Sequence, residues 1–204
     1  MADGQLNPIV YSKNVIEFVT VANEYCKFVE SAGGEDVRIM LGKAQKLLPL
    51  LYLKTSILPE FESAAEVEPE KFVTEVDYNF LQQRIMNLLG PHDDYQEVFD
   101  PEMQFSDAPL TSSISENLTD IYQDLKDFIL AYRIGDDLVM QEALWGCMAS
   151  FRNYWGQKLV NGLRAIHSLL YSQTDFNQDF ELPSDENEKN KPDWLNDLFN
   201  KQID

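Results

Sequence analysis

Ser115-Glu-Asn-Leu-Thr-Asp-Ile-Tyr-Gln-Asp-Leu-Lys-Asp-Phe-Ile-Leu-Ala-Tyr-Arg133 is the stretch that decides the fold. Leu118, Ile121, Leu125, Phe128 and Tyr132 recur in it at helical steps, which lays one apolar stripe along an α-helix. Ser115 is the expected N-cap, because a short hydroxyl side chain satisfies a free amide of the first turn. Gly135 ends the helix and Asp136-Asp137 open the next. Away from the stripe, Asp120, Asp124 and Asp127 stand at i, i+4 and i+7 and share one face.

The same period extends outward in both directions. Upstream, Val15, Phe18, Val19, Ala22, Cys26 and Val29 form a first helix, capped at Ser12 and ended by Gly33-Gly34. A second helix opens at Glu35-Asp36 and carries Val37, Met40, Leu41, Ala44, Leu48 and Leu51. Pro49 is expected to kink or split it, since proline lacks the amide donor and crowds the preceding turn. A third helix follows the cap Thr74, carries Val76, Phe80, Ile85, Leu88 and Leu89, and stops at Gly90-Pro91. Downstream, Leu144, Met148, Phe151, Trp155, Leu159, Ile166 and Leu170 form one long stripe. Unbroken from Asp137 to Ser172, that helix would span about 50 Å. Gly146, Gly156 and Gly162 fall within it and mark either a close helix–helix approach or a bend.

Connectors separate these runs. Residues 59 to 73 are acidic. Residues 91 to 111 are long and proline-bearing, and long connections in a bundle are often functional. His92, Asp93, Asp94 and Glu97 are expected there as a capped turn opening a short helix through Tyr95 and Val98. No repeat and no strand is expected. The fold class is therefore all-α: a bundle of about five main helices, mostly antiparallel, with a short C-terminal amphipathic helix. The domain occupies residues 8–172, followed by an acidic linker over 173–191. Pro192, Trp194, Leu195, Leu198 and Phe199 mark the short amphipathic segment or tail over 192–204.

Composition narrows the function classes. The chain has 204 residues, 44% of them hydrophobic, enough to bury one sizeable core. No basic segment followed by an apolar run opens it, and the longest apolar stretch, around Leu47 to Leu53, is too short to span a bilayer. A cytoplasmic location is expected. Cys26 and Cys147 sit among apolar residues and read as small buried hydrophobes. With no Cys-x-x-Cys pair and two histidines, no zinc site is legible and no cofactor is expected. The net charge of −19 repels phosphate backbones and anionic lipid surfaces, so direct nucleic-acid and membrane binding are disfavoured.

The charge is unevenly laid out. From Glu60 to Asp127 there are 17 acids against three bases. Residues 37 to 59 hold Arg38, Lys43, Lys46 and Lys54 and no acid. Residues 143 to 174 hold Arg152, Lys158 and Arg164 and no acid. Pairing of the acidic fourth helix with these basic segments is the expected use. A basic groove for an anionic ligand is the alternative.

Several residues are candidates for a site. Asp120, Asp124 and Asp127 could hold Mg²⁺, which takes carboxylate oxygens and water. The plainer reading makes them a solvated face or partners of Arg152 and Arg164. Tyr122 lies between the first two and is carried with them as a binding candidate. The paired Glu-x-x-Glu and Glu-x-x-Asp spacings of all-helical pyrophosphatases are absent. The single His92-Asp93 dipeptide lacks the further histidines of HD-type hydrolases. His167 reads as a satisfied histidine at the edge of the core. Trp145, Phe151, Tyr154 and Trp155 occupy more than one side of their helix, so some face outward. An aromatic beside Arg152 suits a protein-binding surface. Trp194 and Phe199 are candidates for docking on the same bundle or on another protein.

Three stretches carry a resemblance: Asp77-Tyr78, Asp120-Ile-Tyr-Gln-Asp-Leu-Lys-Asp127 and Trp155-Gly-Gln-Lys-Leu-Val160. Through them the chain resembles a bacterial family known as domain of unknown function 5063, over most of residues 8 to 172. The resemblance implies an all-helical fold and supplies no activity. The expected function is a non-catalytic helical interaction domain whose partner is another protein. The alternative is a metal-dependent phosphoester or nucleotide hydrolase using Asp120, Asp124 and Asp127, with Arg152 or Arg164 on phosphate.

Overall fold

A computed structural model describes residues 9–63, 70–97, 110–174 and 176. Six α-helices account for most of them: α1 (Lys13–Ser31), α2 (Val37–Ser56), α3 (Glu75–Leu89), α4 (Ile114–Arg133), α5 (Asp137–Ser150) and α6 (Gly156–Tyr171). The all-α bundle expected from periodicity is what forms. Helix α4 is its axis, packed by α1, α3, α5 and α6. Helix α2 lies outside, against α1 and α6.

That central position explains α4. Its apolar stripe is buried, but so are Asn117, Thr119, Asp120 and Asp127 on its other sides. A helix ringed by four others has no side left for a broad solvated stripe, so its polar residues must find partners inside. The core around it includes Phe18, Tyr25, Leu48, Leu81, Ile85, Leu118, Leu125, Leu144, Trp155 and Ile166.

Local chemistry sets the helix ends. Asp36 accepts the amides of Arg38 and Ile39, and Asp136 those of Leu138 and Val139. Thr74 and Asp77 form a reciprocal capping box that opens α3. Gly33, Gly90 and Gly135 take positive φ just past α1, α3 and α4, where a residue with a Cβ would be strained.

Four expectations need correction. Pro49 neither splits nor ends α2, which runs through it. It is solvent-facing, while Leu48 and Leu51 on either side are buried, so packing of both halves outweighs one missing hydrogen bond. The N-cap of α4 is Ser113, whose hydroxyl accepts the Glu116 amide. Ser115 is instead buried inside the first turn, bonded to Asp93. The segment after α3 is no α-helix: a 3₁₀ turn, Gly90–His92, leads into strand β1 (Asp94–Gln96), antiparallel to β2 (Thr111–Ser113) with Tyr95 opposite Ser112. Val98 lies outside the described residues. Finally, the long run from Asp137 to Tyr171 is helical throughout but interrupted by a π-helical turn, Phe151–Trp155.

Gly156 closes that turn. A Cβ on it would stand 2.3 Å from the Phe151 carbonyl oxygen, so the close approach expected from the glycines is, at this one, an approach within the helix. At Gly162 it is between helices: a Cβ there would stand 3.6 Å from the Asn117 side chain of α4. Among the described residues no helix is long and apolar enough to cross a membrane.

Candidate functional site

Asp120 collects the polar side chains of three elements. From α3, the Tyr78 hydroxyl donates to Oδ1 at 2.7 Å. From the π turn, the Tyr154 hydroxyl donates to Oδ2 at 2.9 Å. From α6, the Lys158 ammonium pairs with Oδ2 and also reaches Glu116 at 3.2 Å. The ammonium lies 5.1 Å from the centre of the Tyr154 ring, within the range of a cation–π contact. Asp120 itself is buried, and both its oxygens are occupied by donors from the protein.

Electrostatics follow from that closure. Burial raises the Tyr78 phenol pKa, and the hydrogen bond to Asp120 raises it further. Burial and the Asp120 charge act likewise on Tyr154. Burial alone would lower the Lys158 pKa; the Asp120 bond and charge outweigh it, and the net shift is upward. All three groups are thereby held protonated. None is poised to take or give a proton near neutral pH, as a general acid or base must be.

The other two carboxylates of α4 are drawn elsewhere. Asp124 accepts the Ser150 hydroxyl of α5 at 2.8 Å, and burial raises its pKa. Asp127 accepts the Phe72 and Val73 amides at 2.7 and 2.9 Å, fastening the segment that enters α3. Its other oxygen stands 3.6 Å from the Lys71 ammonium. The three acids thus serve three separate joints. Neither Arg152 nor Arg164 is among their partners: Arg152 pairs with Glu60 at 3.0 Å on the surface. Among the described residues, no group of three or more His, Cys, Asp or Glu could hold a metal ion.

A second buried node lies at the end of α1. Glu30 accepts the Tyr122 hydroxyl at 3.0 Å and the Lys126 ammonium at 2.6 Å, while Arg84 donates to its backbone carbonyl. Beside it, Phe72, Val73, Asp77, Tyr122, Lys126 and Leu130 line a shallow, mostly apolar cleft of about 290 Å³. Asp93, from the expected histidine–acid cluster, is buried and accepts the Ser115 amide and hydroxyl, so it anchors α4 rather than an ion. Glu142 is buried and accepts the Ser63 hydroxyl.

The aromatics divide. Trp155 is fully buried and its indole donates to the Cys147 carbonyl. Tyr122 is likewise interior. Trp155 does not reach the surface, and Tyr122 borders it only through the cleft beside Glu30, so the ring of helices that buries α4 draws both candidates inward. Tyr154 and Trp145 face outward. His167 is exposed, its ring tilted against that of Tyr171 at 4.6 Å, and not at the edge of the core. Trp194 and Phe199 lie outside the described residues.

The expected charge pairing accounts for Lys158 alone among the cations of the two acid-free segments. Helix α2 does not pack on α4; Lys54 meets Glu17 of α1, and Lys43 meets Glu35. What the fold does instead is place the two segments side by side. Gln45 of α2 donates to the Tyr171 hydroxyl of α6, and Tyr52 packs edge-on to Phe151 of the π turn at 5.2 Å. The outward faces of α2 and α6 carry Ile39, Lys46, Leu50, Leu53, Val160 and Arg164, all exposed. At one end, the ring of Phe176 lies under the Arg38 guanidinium at 5.1 Å and against His92 at 5.2 Å.

Sequence reasoning about sites passes over Tyr78, Lys158 and Glu30. Tyr78 and Lys158 do carry a signal, since both lie in the stretches that bear the family resemblance. Those three stretches meet in space at Asp120. Glu30 carries none: one acid at the end of an apolar stripe looks like any surface residue.

The family described as Domain of unknown function (DUF5063) matches residues 9–172. Among solved structures, the chain is similar to the crystal structure of protein BF1032 from Bacteroides fragilis. The two are 42% identical, the match covers 81% of this chain and 98% of that one, and the TM-score is 0.72. No curated protein matches the chain.

Proposed function

Because this chain belongs to the DUF5063 family, whose description gives no activity to start from, we propose from its surface that it is a non-catalytic helical interaction domain. Its contact surface is the joint outward face of α2 and α6, and its partner is an acidic protein segment bearing apolar side chains. One observation carries this reading: in a chain of net charge −19, two adjacent helices present a face with no acid in either. Ile39 and Leu53 are 54% and 53% exposed on it. Exposed aliphatic groups flanked by cations suit a partner that buries apolar surface and brings negative charge, and the field around the face steers such a partner in while the rest of the molecule repels it.

Among the described residues, the arrangement of the α4 acids favours this reading over the hydrolase alternative. Its three carboxylates are spent on separate structural joints, and the groups around Asp120 are held protonated.

Capture from a native lysate tests the proposal, using the chain with and without residues 192–204 and a Lys46→Glu/Leu53→Glu variant of each. Both positions are solvent-facing, so circular dichroism should be unchanged. Specific proteins bound by the wild-type face and lost with the double variant are the expected result. Capture that ignores the double variant, or no specific capture from either length, overturns it.

A further inference from the structure

We infer that the α2–α6 face is covered in cis by this chain's own C-terminal segment, with Trp194, Leu198 and Phe199 seated on Leu50 and Leu53; this rests on the reading of that face as an interaction surface. Three observations converge on this occupant. First, the chain leaves α6 beside the start of α2. Tyr171 at the end of α6 is bonded to α2, and Phe176 is already laid across the start of α2, under Arg38. Second, the charges match. Residues 175–191 hold six acids against two bases, and residues 192–204 three acids against one, opposite a face holding Arg38, Lys46 and Arg164 and no acid. Third, the length is sufficient. Eighteen residues lead from Phe176 to Trp194, and a chain of that length has a root-mean-square reach of about 23 Å. Helix α2 is about 30 Å long, so the apolar residues of the segment reach most of its outward face.

The spacing of those residues fits as well. Trp194, Leu195, Leu198 and Phe199 fall at i, i+1, i+4 and i+5, one side of a helix. Laid on the later half of α2, they meet Leu50 and Leu53, which lie about one turn apart on one side. Tethering favours this occupant over a second copy, because a short connection holds the segment at about millimolar effective concentration, above the micromolar concentration of a separate chain. An external partner must then displace the segment, so the cover sets a threshold on binding.

Paramagnetic relaxation on the full chain tests this. Cys26 and Cys147 are buried, with burial raising both thiol pKa values, so a nitroxide placed on Asn196→Cys labels one site. Expected is loss of the amide signals of Ile39, Lys46, Leu53 and Arg164, independent of dilution, and their recovery when Trp194, Leu198 and Phe199 are replaced by Ala. Mixing unlabelled-isotope, spin-labelled chain with isotope-labelled, nitroxide-free chain separates the occupants. Signal loss in that mixture points to a second copy and overturns the cis cover. No loss in either sample overturns it too. In both cases the interaction reading stands or falls separately, on whether lysate capture still depends on Lys46 and Leu53.

Discussion

Asp120 and Asp124 stand one turn apart on α4 and meet burial in opposite ways. Asp120 receives two phenols and an ammonium, so removing it strands the two phenol donors and leaves Lys158 with Glu116 alone. Asp120→Ala is expected to cost about 3 kcal/mol in urea unfolding, the scale for leaving one partner of a buried pair alone. A loss under about 1 kcal/mol would mean the network is slack. Asp124 has one hydroxyl donor, and burial raises its pKa. The folded state then binds that proton more tightly than the unfolded chain, so ionisation costs stability as pH rises through the carboxylate range. Asp124→Asn keeps an acceptor for Ser150 and removes that cost. It is expected to be neutral or stabilising by up to about 1 kcal/mol at pH 7. The advantage should shrink below about pH 4, where the wild-type carboxyl is protonated in both states. A variant less stable at pH 7 than at pH 4, relative to wild type, would reverse the sign. Nothing in the i, i+4, i+7 spacing separates these two residues. Their difference comes from which neighbouring helix stands opposite each, and only the assembled bundle supplies that.

Among the elements, the π turn is the most sensitive. Gly156→Ala brings a Cβ against the Phe151 carbonyl oxygen, at 2.3 Å in the present backbone, and a backbone oxygen cannot swing aside as a side-chain end can. A loss of about 1–3 kcal/mol in thermal unfolding is expected, with Trp155 fluorescence shifted, the range for overpacking inside a close-packed core. A variant as stable as wild type would show that the turn relaxes to α-helical pairing at little cost. Elements of this kind are legible in uneven measure. Long apolar stripes, such as those of α1 and α4, read correctly because many residues report one period, whereas the expected stripe of α3 takes in Val76, which is exposed, and passes over Leu81, which is buried. The strands β1 and β2 are three residues each, too short for an alternation to register. The cap of α4 stands two residues before the expected one because Ser113 and Ser115 are chemically alike, and Asp93, distant in sequence, decides which one is drawn inside. Pro49 carries less weight than its chemistry alone suggests, because the packing of Leu48 and Leu51 is invisible until the helices are assembled.

At the scale of the molecule, 35 acids against 16 bases leave a net charge of −19 however the ions pair, and that excess repels itself in the folded state. Raising NaCl from about 0.1 M to about 1 M shortens the screening length from about 10 to about 3 Å. The melting temperature is expected to rise by about 2–4 °C, the shift that goes with 1 kcal/mol in a domain of this size. A flat or falling melting curve against salt would indicate that surface ion pairs outweigh the repulsion. The acid-free segments are legible in the sequence as segments. That they form a single face is not, because the contact between α2 and α6 joins residues more than a hundred positions apart.

The π turn also acts as a clock setting between α5 and α6. It holds one residue more than an α-helical turn would, so α6 follows α5 out of phase by about 100°. Deleting a single residue between Phe151 and Trp155 would leave a continuous, unbroken helix, and its composition and net hydrophobicity would barely change. Yet every side chain of α6 would turn by that angle. Lys158 would swing away from Asp120, Gly162 away from Asn117, and the outward row of Val160 and Arg164 out of line with α2. The fold's surface pattern is therefore timed by an irregularity in its longest helical run, and a shift of one residue there would dismantle the buried network and the exposed face together.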